Sequence, residues 1–277
     1  MEMSETMSGI HSTGEAKLAV ALTVDDVTAS YTEDGIVLLA LERISFSVAQ
    51  GQFVAIVGPS GSGKSTLLDI VAGLIEPDKG TVFVNGTPSR ASERLGHAAY
   101  MKQRDLLLPW RTAVGNAAAA LQVQGISRGE AEKRATERFA QFGLSGFEKS
   151  YPAQLSGGMR QRVAFVRTML TGQSLLLLDE PFGSLDALTR MSSQEWLANA
   201  LGVESRTVLL VTHDVDEAIV LADEVLVFSG RPGSIVHSEP ITAQRPRNRS
   251  FLASSAFNRH RKHLLAALGL VSANGST

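Results

Sequence analysis

The chain has 277 residues, of which 44% are hydrophobic and 19% charged, and its formal net charge is −2; this is enough for one large α/β domain, or for a core domain with a smaller subdomain set into it. It contains no cysteine, which excludes disulfide bonds, thiolate metal sites and cysteine nucleophiles and agrees with a reducing compartment. No apolar run approaches the ~18 residues that a membrane helix needs, so we expect any membrane-spanning part to come from a partner.

The first predicted elements are a polar tail and three strands. Residues 1–17 lack the basic start and the apolar run of a secretory signal, so we expect a flexible N-terminal tail. Apolar and polar residues alternate over 20–24 and 36–48, which predicts half-buried strands. A short apolar run over 52–57 predicts a third strand, which leads into a glycine-rich turn.

A helix and a further strand follow this turn. The pattern over 64–72 predicts a helix that Gly73 ends. Residues 81–84 predict a strand, and Asn85-Gly86 after it is a turn signal.

The character of the sequence changes over 104–171, where Ala, Glu, Arg and Gln dominate and β-branched residues become sparse. We predict helices over 128–142 and 157–170, the second with Ser156 as its N-cap. The segment is therefore interpreted as a helical insert within an α/β core.

The core resumes with continuous apolar runs over 174–178 and 207–211, which are typical of parallel strands covered on both faces. Residues 225–228 and 234–237 predict a hairpin around the Arg-Pro-Gly turn at 231–233. We find neither an internal repeat nor a low-complexity block.

Residues 241–277 are basic and contain no acid. Their six charges leave the rest of the chain at −8, and they could contact anionic lipid or nucleic acid. They are too few and too widely spread for a nucleic-acid footprint, so we favour a solvated surface or a docking face for the acidic body, and we expect no nucleic-acid partner. The basic residues are Arg245, Arg247, Arg249, Arg259, Arg261 and Lys262.

The pattern GxxxxGK[ST] lies between the predicted strand over 52–57 and the helix over 64–72. It consists of Gly58, Pro59, Ser60, Gly61, Ser62, Gly63, Lys64 and Ser65. Its glycines let backbone N–H groups point at a phosphate, and the new helix offers its positive end to the same anion. Lys64 can reach the outer phosphates and the Ser65 hydroxyl can ligate Mg²⁺. A Gly/Ser-rich surface turn is the alternative, but the flanking strand and helix favour a phosphate-binding loop.

The apolar strand over 174–178 ends in two acids, Asp179 and Glu180. Ligands of a parallel sheet bind beyond the carboxyl ends of its strands, where the phosphate-binding loop also lies. Asp179 is therefore expected to hold Mg²⁺ through the water shell of the ion, and Glu180 is the candidate general base. A pair of acids that merely caps a strand is the alternative, and the nearby phosphate-binding loop argues against it.

Residues 155–161, LSGGMRQ, resemble the signature motif of ABC ATPases. Other motifs of that family are present in order: Tyr31 resembles the aromatic residue that stacks on adenine, Gln103 the Q-loop glutamine, 184–186 the D-loop and His213 the switch histidine. Alone, each would be an ordinary strand, loop or strand-end residue. Their order and spacing carry the resemblance.

The resemblance covers about 18–238 and implies an α/β fold. It implies a P-loop ATPase core with a mostly parallel sheet, an N-terminal antiparallel β part and an inserted α-helical subdomain. The expected boundaries are an ATPase domain over 18–240, with its helical subdomain at about 104–171, and a basic C-terminal extension over 241–277.

The resemblance also implies ATP and Mg²⁺ as ligands and assigns residues to them. The implied catalytic residues are Glu180, His213 and Gln103. The implied Mg²⁺ ligands are Ser65, Gln103 and Asp179. The implied nucleotide-binding residues are Tyr31, Gly58, Pro59, Ser60, Gly61, Ser62, Gly63, Lys64, Ser65, Thr66, Ser156, Gly157, Gly158, Gln161 and Asp186.

The family role of the signature motif implies a pair of subunits. Ser156 is expected to cap a helix whose first N–H groups are free, and Gly157 and Gly158 leave that end open to an anion. In the family this end holds the γ-phosphate of the ATP bound to the other subunit. A head-to-tail homodimer with two ATP molecules at its interface follows.

Three segments resemble the importers of nitrate, taurine and other sulfonates, a group that includes importers of pyrimidine vitamin precursors. They are 101–116, which contains LLPWR, 179–190, which reads DEPFGSLDALTR, and 225–233. Glu224, where many relatives carry a basic residue, and Met101-Lys102 depart from the group's pattern.

An importer of this kind works with other proteins. The resemblance implies a peripheral position on the cytoplasmic face of the inner membrane and a permease that docks near 103–111. It also implies a periplasmic or lipid-anchored solute-binding protein that acts through the permease. We expect Trp110 and Leu108 to be partly exposed, the alternative being that both are core residues.

Other functional classes compete with this interpretation. ABC proteins that act on ribosomes usually carry two cassettes, and chromosome-maintenance ATPases place a long coiled coil between the phosphate-binding loop and the signature, whereas here 92 positions separate Lys64 from Ser156. The ATPase of an exporter or a lipid-extraction system is the closest alternative.

Overall fold

A computed structural model describes residues 19–183, 185–186, 190, 193–194, 196–198 and 206–271. The predicted N-terminal tail over 1–17 lies outside these residues. The strands, in chain order, are β1 (Val20–Glu33), β2 (Ile36–Ala49), β3 (Phe53–Val57), β4 (Lys79–Val84), β5 (Thr87–Ser89), β6 (Ala98–Met101), β7 (Leu175–Asp179), β8 (Thr207–Thr212), β9 (Glu224–Phe228) and β10 (Ile235–Pro240). The helices are α1 (Lys64–Val71), α2 (Ala91–Arg94), α3 (Ala113–Ala117), α4 (Ala119–Val123), α5 (Arg128–Gln141), α6 (Gly157–Met169), α7 (Val215–Leu221), α8 (Arg249–Leu252) and α9 (Ser255–Ala267).

The N-terminal strands form an antiparallel sheet in the order β2-β1-β4-β5, as the sequence predicts. Strand β1 continues well beyond the predicted 20–24. The pairing with β2 shifts register between Val24 and Val27, and Asp26 there has a φ of 48°. This irregularity breaks the apolar–polar alternation, because an extra residue in a strand reverses which side chains face the core.

The second sheet has six strands in the order β10-β9-β3-β8-β7-β6. All neighbours are parallel except the hairpin of β9 and β10, so the predicted hairpin and the mostly parallel sheet are confirmed. Strands β3, β7 and β8 are buried along their whole length. Strand β6, which the sequence analysis missed, has only four residues, too few for a periodic signal.

Successive side chains of the six-stranded sheet enter two different hydrophobic clusters. Val54 and Ile56 of β3 pack with α1 and the antiparallel sheet, whereas Ala55 and Val57 pack with helices including α6, α7 and α9. The sheet is therefore covered on both faces, as its continuous apolar strands predict. This layering leaves the carboxyl ends of β3, β6, β7 and β8 at one edge.

The insert over 104–171 is helical, as predicted. Helices α5 and α6 lie within one residue of the predicted 128–142 and 157–170, and the Ser156 hydroxyl caps α6 by accepting the Met159 N–H at 3.2 Å. The rings of Phe142, Phe165 and Trp196 pack edge-on or tilted around one another, with centroids 4.7 to 5.9 Å apart. These aromatic contacts join the insert to the core.

The basic C-terminal residues dock on the acidic body, one of the two interpretations favoured above. Arg245 forms an ion pair with Asp223 at 2.8 Å, and Arg261 of α9 pairs with Asp216 of α7 at 2.8 Å. Phe257 of α9 is buried in the same hydrophobic cluster as α6 and α7. No helix among the described residues is long and apolar enough to cross a bilayer.

Candidate active site

The glycine-rich loop between β3 and α1 is packed so closely that two of its glycines are required. A Cβ on Gly63, whose φ is +85°, would lie 2.6 Å from the Ala40 backbone oxygen. A Cβ on Gly58 would lie 2.9 Å from Phe228 Cβ. Neither position tolerates a side chain, because real carbon contacts stay well beyond these distances. The loop is therefore held rigidly between β2 and β9, with its backbone at the mouth of a cleft.

Lys64 curls back into this loop and is almost completely buried. Its Nζ donates hydrogen bonds to the backbone oxygens of Gly58 at 2.9 Å and Pro59 at 2.7 Å. Burial lowers the pKa of Lys64, and the nearby carboxylates of Glu180 and Asp179 partly oppose that shift. A positive charge held in a poorly solvated loop is strongly attracted to an incoming phosphate.

Ser65 and Asp179 meet beside the loop. The Ser65 hydroxyl donates to Asp179 Oδ1 at 3.2 Å. Burial raises the pKa of Asp179, and this hydrogen bond opposes the shift. A desolvated carboxylate beside a hydroxyl is a set of oxygen donors that suits Mg²⁺, and Gln103 lines the same cleft as Ser65. The residues present therefore fit the predicted cation.

Side chains that follow three different strands meet at the Glu180 carboxylate. Its Oε2 accepts a hydrogen bond from Gln103 Nε2 at 3.0 Å and lies 3.2 Å from His213 Nδ1. Gln103 follows β6, Glu180 follows β7 and His213 follows β8. Glu180 has a φ of +43°, a left-handed conformation that is rare for residues other than glycine. This turn directs its side chain away from the strand axis and towards the cleft.

The cleft has a volume of about 390 Å³, and its lining includes residues 60–65 of the predicted phosphate-binding loop together with Tyr31, Gln103 and Glu180. Tyr31 lies at the rim, where its hydroxyl donates to Thr66 Oγ1 at 3.1 Å. The structure thus brings together the predicted phosphate-binding, metal-binding and catalytic residues.

Arg231 and Ala40 also line the cleft, and the sequence analysis missed both. Arg231 belongs to the turn of the β9–β10 hairpin, which was predicted only as a turn. A Cβ on Gly233 in the same turn would lie 2.0 Å from the Ser62 oxygen, so this hairpin packs directly on the phosphate-binding loop. The Arg-Pro-Gly sequence marks the turn but carries no local signal of that distant contact.

The signature residues are not part of this cleft. Ser156 is exposed and Gly157 is half-buried at the N-terminal end of α6, whose first N–H groups have no partner inside the helix. Gln161 is buried, and its Nε2 donates to the Gln103 backbone oxygen at 3.4 Å, behind the cleft. Asp186 follows Leu185, whose Cδ2 would lie 3.7 Å from a Cβ on Gly157. Ser184, the first residue of the predicted D-loop, lies outside the described residues.

A second cavity, of about 350 Å³, lies on the helical insert next to Trp110. Trp110 is 71% exposed and Leu108 is half-buried, which confirms that both are partly exposed. The loop carrying them is fixed by the buried Asn116 side chain, which accepts the Leu108 N–H at 2.7 Å and donates to the Arg111 oxygen at 3.0 Å. Trp110 is thus presented to solvent by a rigid loop and contributes to a preformed groove.

Comparison with known proteins gives consistent results. A family model described as ABC transporter matches residues 41–183. The formylaminopyrimidine import ATP-binding protein of Halalkalibacterium halodurans is 46% identical over 76% of this chain and 80% of its own length. The aliphatic sulfonates import ATP-binding protein of Bacillus thuringiensis is 38% identical over 89% and 95%, and the taurine import ATP-binding protein of Yersinia pestis is 42% identical over 71% and 76%.

Solved structures also match most of the chain. A dimeric ATP-binding cassette in a post-hydrolysis state, bound to ADP and phosphate, matches with a TM-score of 0.71 and 29% identity over 80% of this chain and 100% of its own. A dimeric bacterial ABC transporter cassette matches with a TM-score of 0.72 and 29% identity over the same shares.

Proposed function

Since the chain belongs to the ABC transporter family of ATP-binding proteins, we propose that it hydrolyses ATP to power the uptake of a small solute through a partner permease. The observation that carries this proposal is the convergence of Gln103 and His213 on a single oxygen of Glu180, beside a phosphate-binding loop. The three relatives described above are import subunits, so they do not favour an exporter or a lipid-extraction ATPase.

The phosphate-binding loop and Lys64 bind and orient the outer phosphates of ATP. Ser65, Asp179 and Gln103 would hold Mg²⁺, which when bound neutralises negative charge on the phosphate oxygens. Tyr31, at the rim of the cleft, stacks on the adenine ring. These contacts fix the γ-phosphate in one orientation, and positioning of this kind accounts for much of the catalysis of phosphoryl transfer.

Glu180 supplies the basic group. A water molecule held by its carboxylate attacks the γ-phosphorus, the bond to the bridging oxygen breaks, and ADP leaves with that oxygen. The proton of the attacking water passes to the carboxylate of Glu180. Gln103 and His213 both contact the same carboxylate oxygen, which fixes the direction in which Glu180 faces.

The open signature end of α6 is completed by a second copy of the chain. Ser156, Gly157 and Gly158 lie apart from the cleft of their own subunit, so their helix end is available to the γ-phosphate bound by a partner. A head-to-tail homodimer brings each signature to the opposite cleft. The dimeric state of both similar solved cassettes supports this arrangement.

The exposed groove at Trp110 is the proposed docking site for the permease. Exposed tryptophans on rigid loops are frequent anchors of protein interfaces. We place the subunit on the cytoplasmic face of the inner membrane, with a periplasmic or lipid-anchored solute-binding protein beyond the permease. The relatives indicate a pyrimidine precursor or a sulfonate such as taurine as the solute class, and the sequence resemblance adds nitrate.

Transport can be tested in vesicles that contain the permease and the solute-binding protein with this subunit attached outside. We expect ATP-dependent movement of one of these solutes out of a lumen that holds the solute-binding protein, because an importer carries its solute from the side of the solute-binding protein to the side of the ATPase. Trp110→Ala should weaken assembly about 30-fold, as for a loss of ~2 kcal/mol at an interface anchor, with basal hydrolysis unchanged. Leu95→Ala removes another exposed apolar side chain and is the control. ATP-driven accumulation of the solute inside the vesicles, or normal assembly of Trp110→Ala, would contradict the proposal.

A further inference from the structure

The turn that carries His213 is tied on both sides to helix α7. Thr212, just before it, donates through its hydroxyl to Glu217 Oε2 at 2.6 Å. The N–H of Asp214, just after it, donates to the Thr212 hydroxyl at 3.0 Å. Asp214 also caps α7, because its Oδ1 accepts the N–H groups of Asp216 and Glu217 at 2.9 and 3.1 Å. The position of α7 therefore sets the position of this turn and of the imidazole on it.

The C-terminal end of α7 is held by Arg247 from the C-terminal extension. The buried guanidinium donates from Nη1 to the backbone oxygens of Ile219 at 3.0 Å, Val220 at 3.2 Å and Ala222 at 2.6 Å. These are the carbonyls that the last turn of a helix leaves without partners. Burial lowers the pKa of Arg247 to about 10, so the group is still charged at neutral pH.

The N-terminal end of α7 is held by another residue of the extension. Arg261 of α9 pairs with Asp216, in the first turn of α7, at 2.8 Å. Phe257 and Leu264 of the same helix α9 are buried in the cluster that contains Ala218 of α7. The extension thus contacts α7 at its beginning, at its end and along its buried face.

The extension is itself anchored to the sheet by a cluster around Glu239 of β10. His260 and His263 of α9 lie with Nδ1 at 2.6 and 3.1 Å from Glu239 Oε1, and His237 of β10 lies with Nε2 at 3.0 Å from Oε2. Burial acts to raise the pKa of Glu239, but the hydrogen bonds from the three histidines hold it below its usual range. Helix α9 is therefore fixed to β10 independently of its contacts with α7.

We propose that the C-terminal extension, residues 241–271, is a positioning element for His213: it clamps α7 at both ends and so fixes where the imidazole meets Glu180. This inference rests on the proposed role of His213 in hydrolysis. Arg261 and Arg247 touch neither the cleft nor a reacting group. They act through α7 and the turn over 212–214, and the chain has a defined path of contacts from the extension to the Glu180 carboxylate.

The test compares two arginines of α9 in the full-length chain. Arg261→Ala removes the ion pair with Asp216, and Arg259→Ala removes the same charge from an exposed position of the same helix. We expect Arg261→Ala to lower kcat about two- to fivefold, the range set by one partly exposed ion pair, with KM for ATP and the melting temperature nearly unchanged. Arg259→Ala should have no effect, and Arg261→Lys should restore most of kcat.

A second pair of variants separates positioning of His213 from a general structural effect. In a His213→Ala background, single-turnover hydrolysis should be unaffected by Arg261→Ala, because the group being positioned is gone. Equal losses from Arg261→Ala in both backgrounds, or no loss in either, would overturn the positioning role. Full hydrolysis by His213→Ala alone would instead show that the proposed role of His213 is wrong, and the inference would fall with it.

Discussion

The phosphate cleft and the signature end of α6 belong to the same proposed reaction but differ in their completeness. In the cleft, Lys64 is buried in its loop and Glu180 is already in contact with its neighbours. At the signature end, Ser156 is exposed and does not line the cleft of its own subunit. In the proposed dimer, one chain therefore supplies a preformed half of the site for binding and an open half that is completed by a second copy.

The difference follows from the elements that carry each half. The cleft lies where the carboxyl ends of parallel strands meet, so the sheet itself brings the groups that follow β3, β6, β7 and β8 together. The signature lies on the N-terminal end of a helix in the insert, where free N–H groups point outward. A single subunit should thus bind ATP well and hydrolyse it poorly.

Loss of the cleft's cation should have the largest effect. Lys64→Ala removes the side-chain cation of the phosphate-binding loop, so we expect ATP binding to weaken by roughly 100-fold or more, as for ~3 kcal/mol of lost charge-assisted contacts, and hydrolysis to disappear. Calorimetry of ATP binding is the measurement, with Lys79→Ala, at an exposed strand position, as control. Normal ATP affinity in Lys64→Ala would show that the cleft is not the binding half.

A change at the signature should separate binding from hydrolysis. Ser156→Arg places bulk and charge at the end of α6, so the subunit should bind ATP normally while hydrolysis falls at least ~10²-fold, as when a transition-state donor is removed. Ser127→Arg alters another exposed helix N-cap, that of α5, and should leave hydrolysis unchanged. Weakened ATP binding by the Ser156→Arg monomer would place the signature within its own subunit's binding site and remove the distinction between the halves.

Sequence patterns predicted the elements that carry the motifs because each of these elements has a recognisable local pattern of residues. The continuous apolar runs predicted β7 and β8, and the Ser156 cap predicted the start of α6 to the residue. The extent of β1 was not predictable, because its register shifts remove the alternation.

The missed parts of the site and of the C-terminal extension depend on contacts between distant segments. Arg231 reaches the cleft only because the hairpin turn packs on Ser62, and Glu239 is surrounded by histidines from both β10 and α9. Neither contact leaves a periodic or motif signal in the chain. Such contacts become visible only when the fold places the segments side by side.

The smallest effect on hydrolysis is expected from Glu217, which lies behind the cleft and not in it. Burial raises its pKa to about 8 in the folded chain, whereas an unfolded glutamate titrates near ~4.3. The folded state therefore binds more protons between these values, and the free energy of unfolding should fall by a few kcal/mol, about 4 at most, as the pH rises from 5 to 8. Glu217→Gln keeps an oxygen for the Thr212 hydroxyl and should remove this fall.

Urea denaturation at pH 5 and pH 8 measures this effect, and Glu137→Gln, on the exposed face of α5, is the matched control. Hydrolysis near neutral pH should change less than about threefold in Glu217→Gln, since the amide resembles the protonated acid that the fold favours. If the pH dependence of stability were the same in Glu217→Gln and in the wild-type chain, Glu217 would be ionised in the folded state. A large loss of hydrolysis in Glu217→Gln would show that Glu217 acts in the cleft.

In the proposed dimer, the binding half in one subunit and the signature half in another form a single catalytic site. Glu180→Gln removes the basic carboxylate and a negative charge that faces ATP, so hydrolysis should fall at least ~10²-fold and ATP should hold the chain as a dimer. Size-exclusion chromatography with light scattering, with ATP and with ADP, measures this directly. We expect a dimer for Glu180→Gln only with ATP, no trapped dimer for Asp179→Asn, and a monomer for Glu180→Gln combined with Ser156→Arg, although that variant still binds ATP. A dimer that persists in the double variant, or an ATP-bound Glu180→Gln chain that stays monomeric, would contradict the shared site.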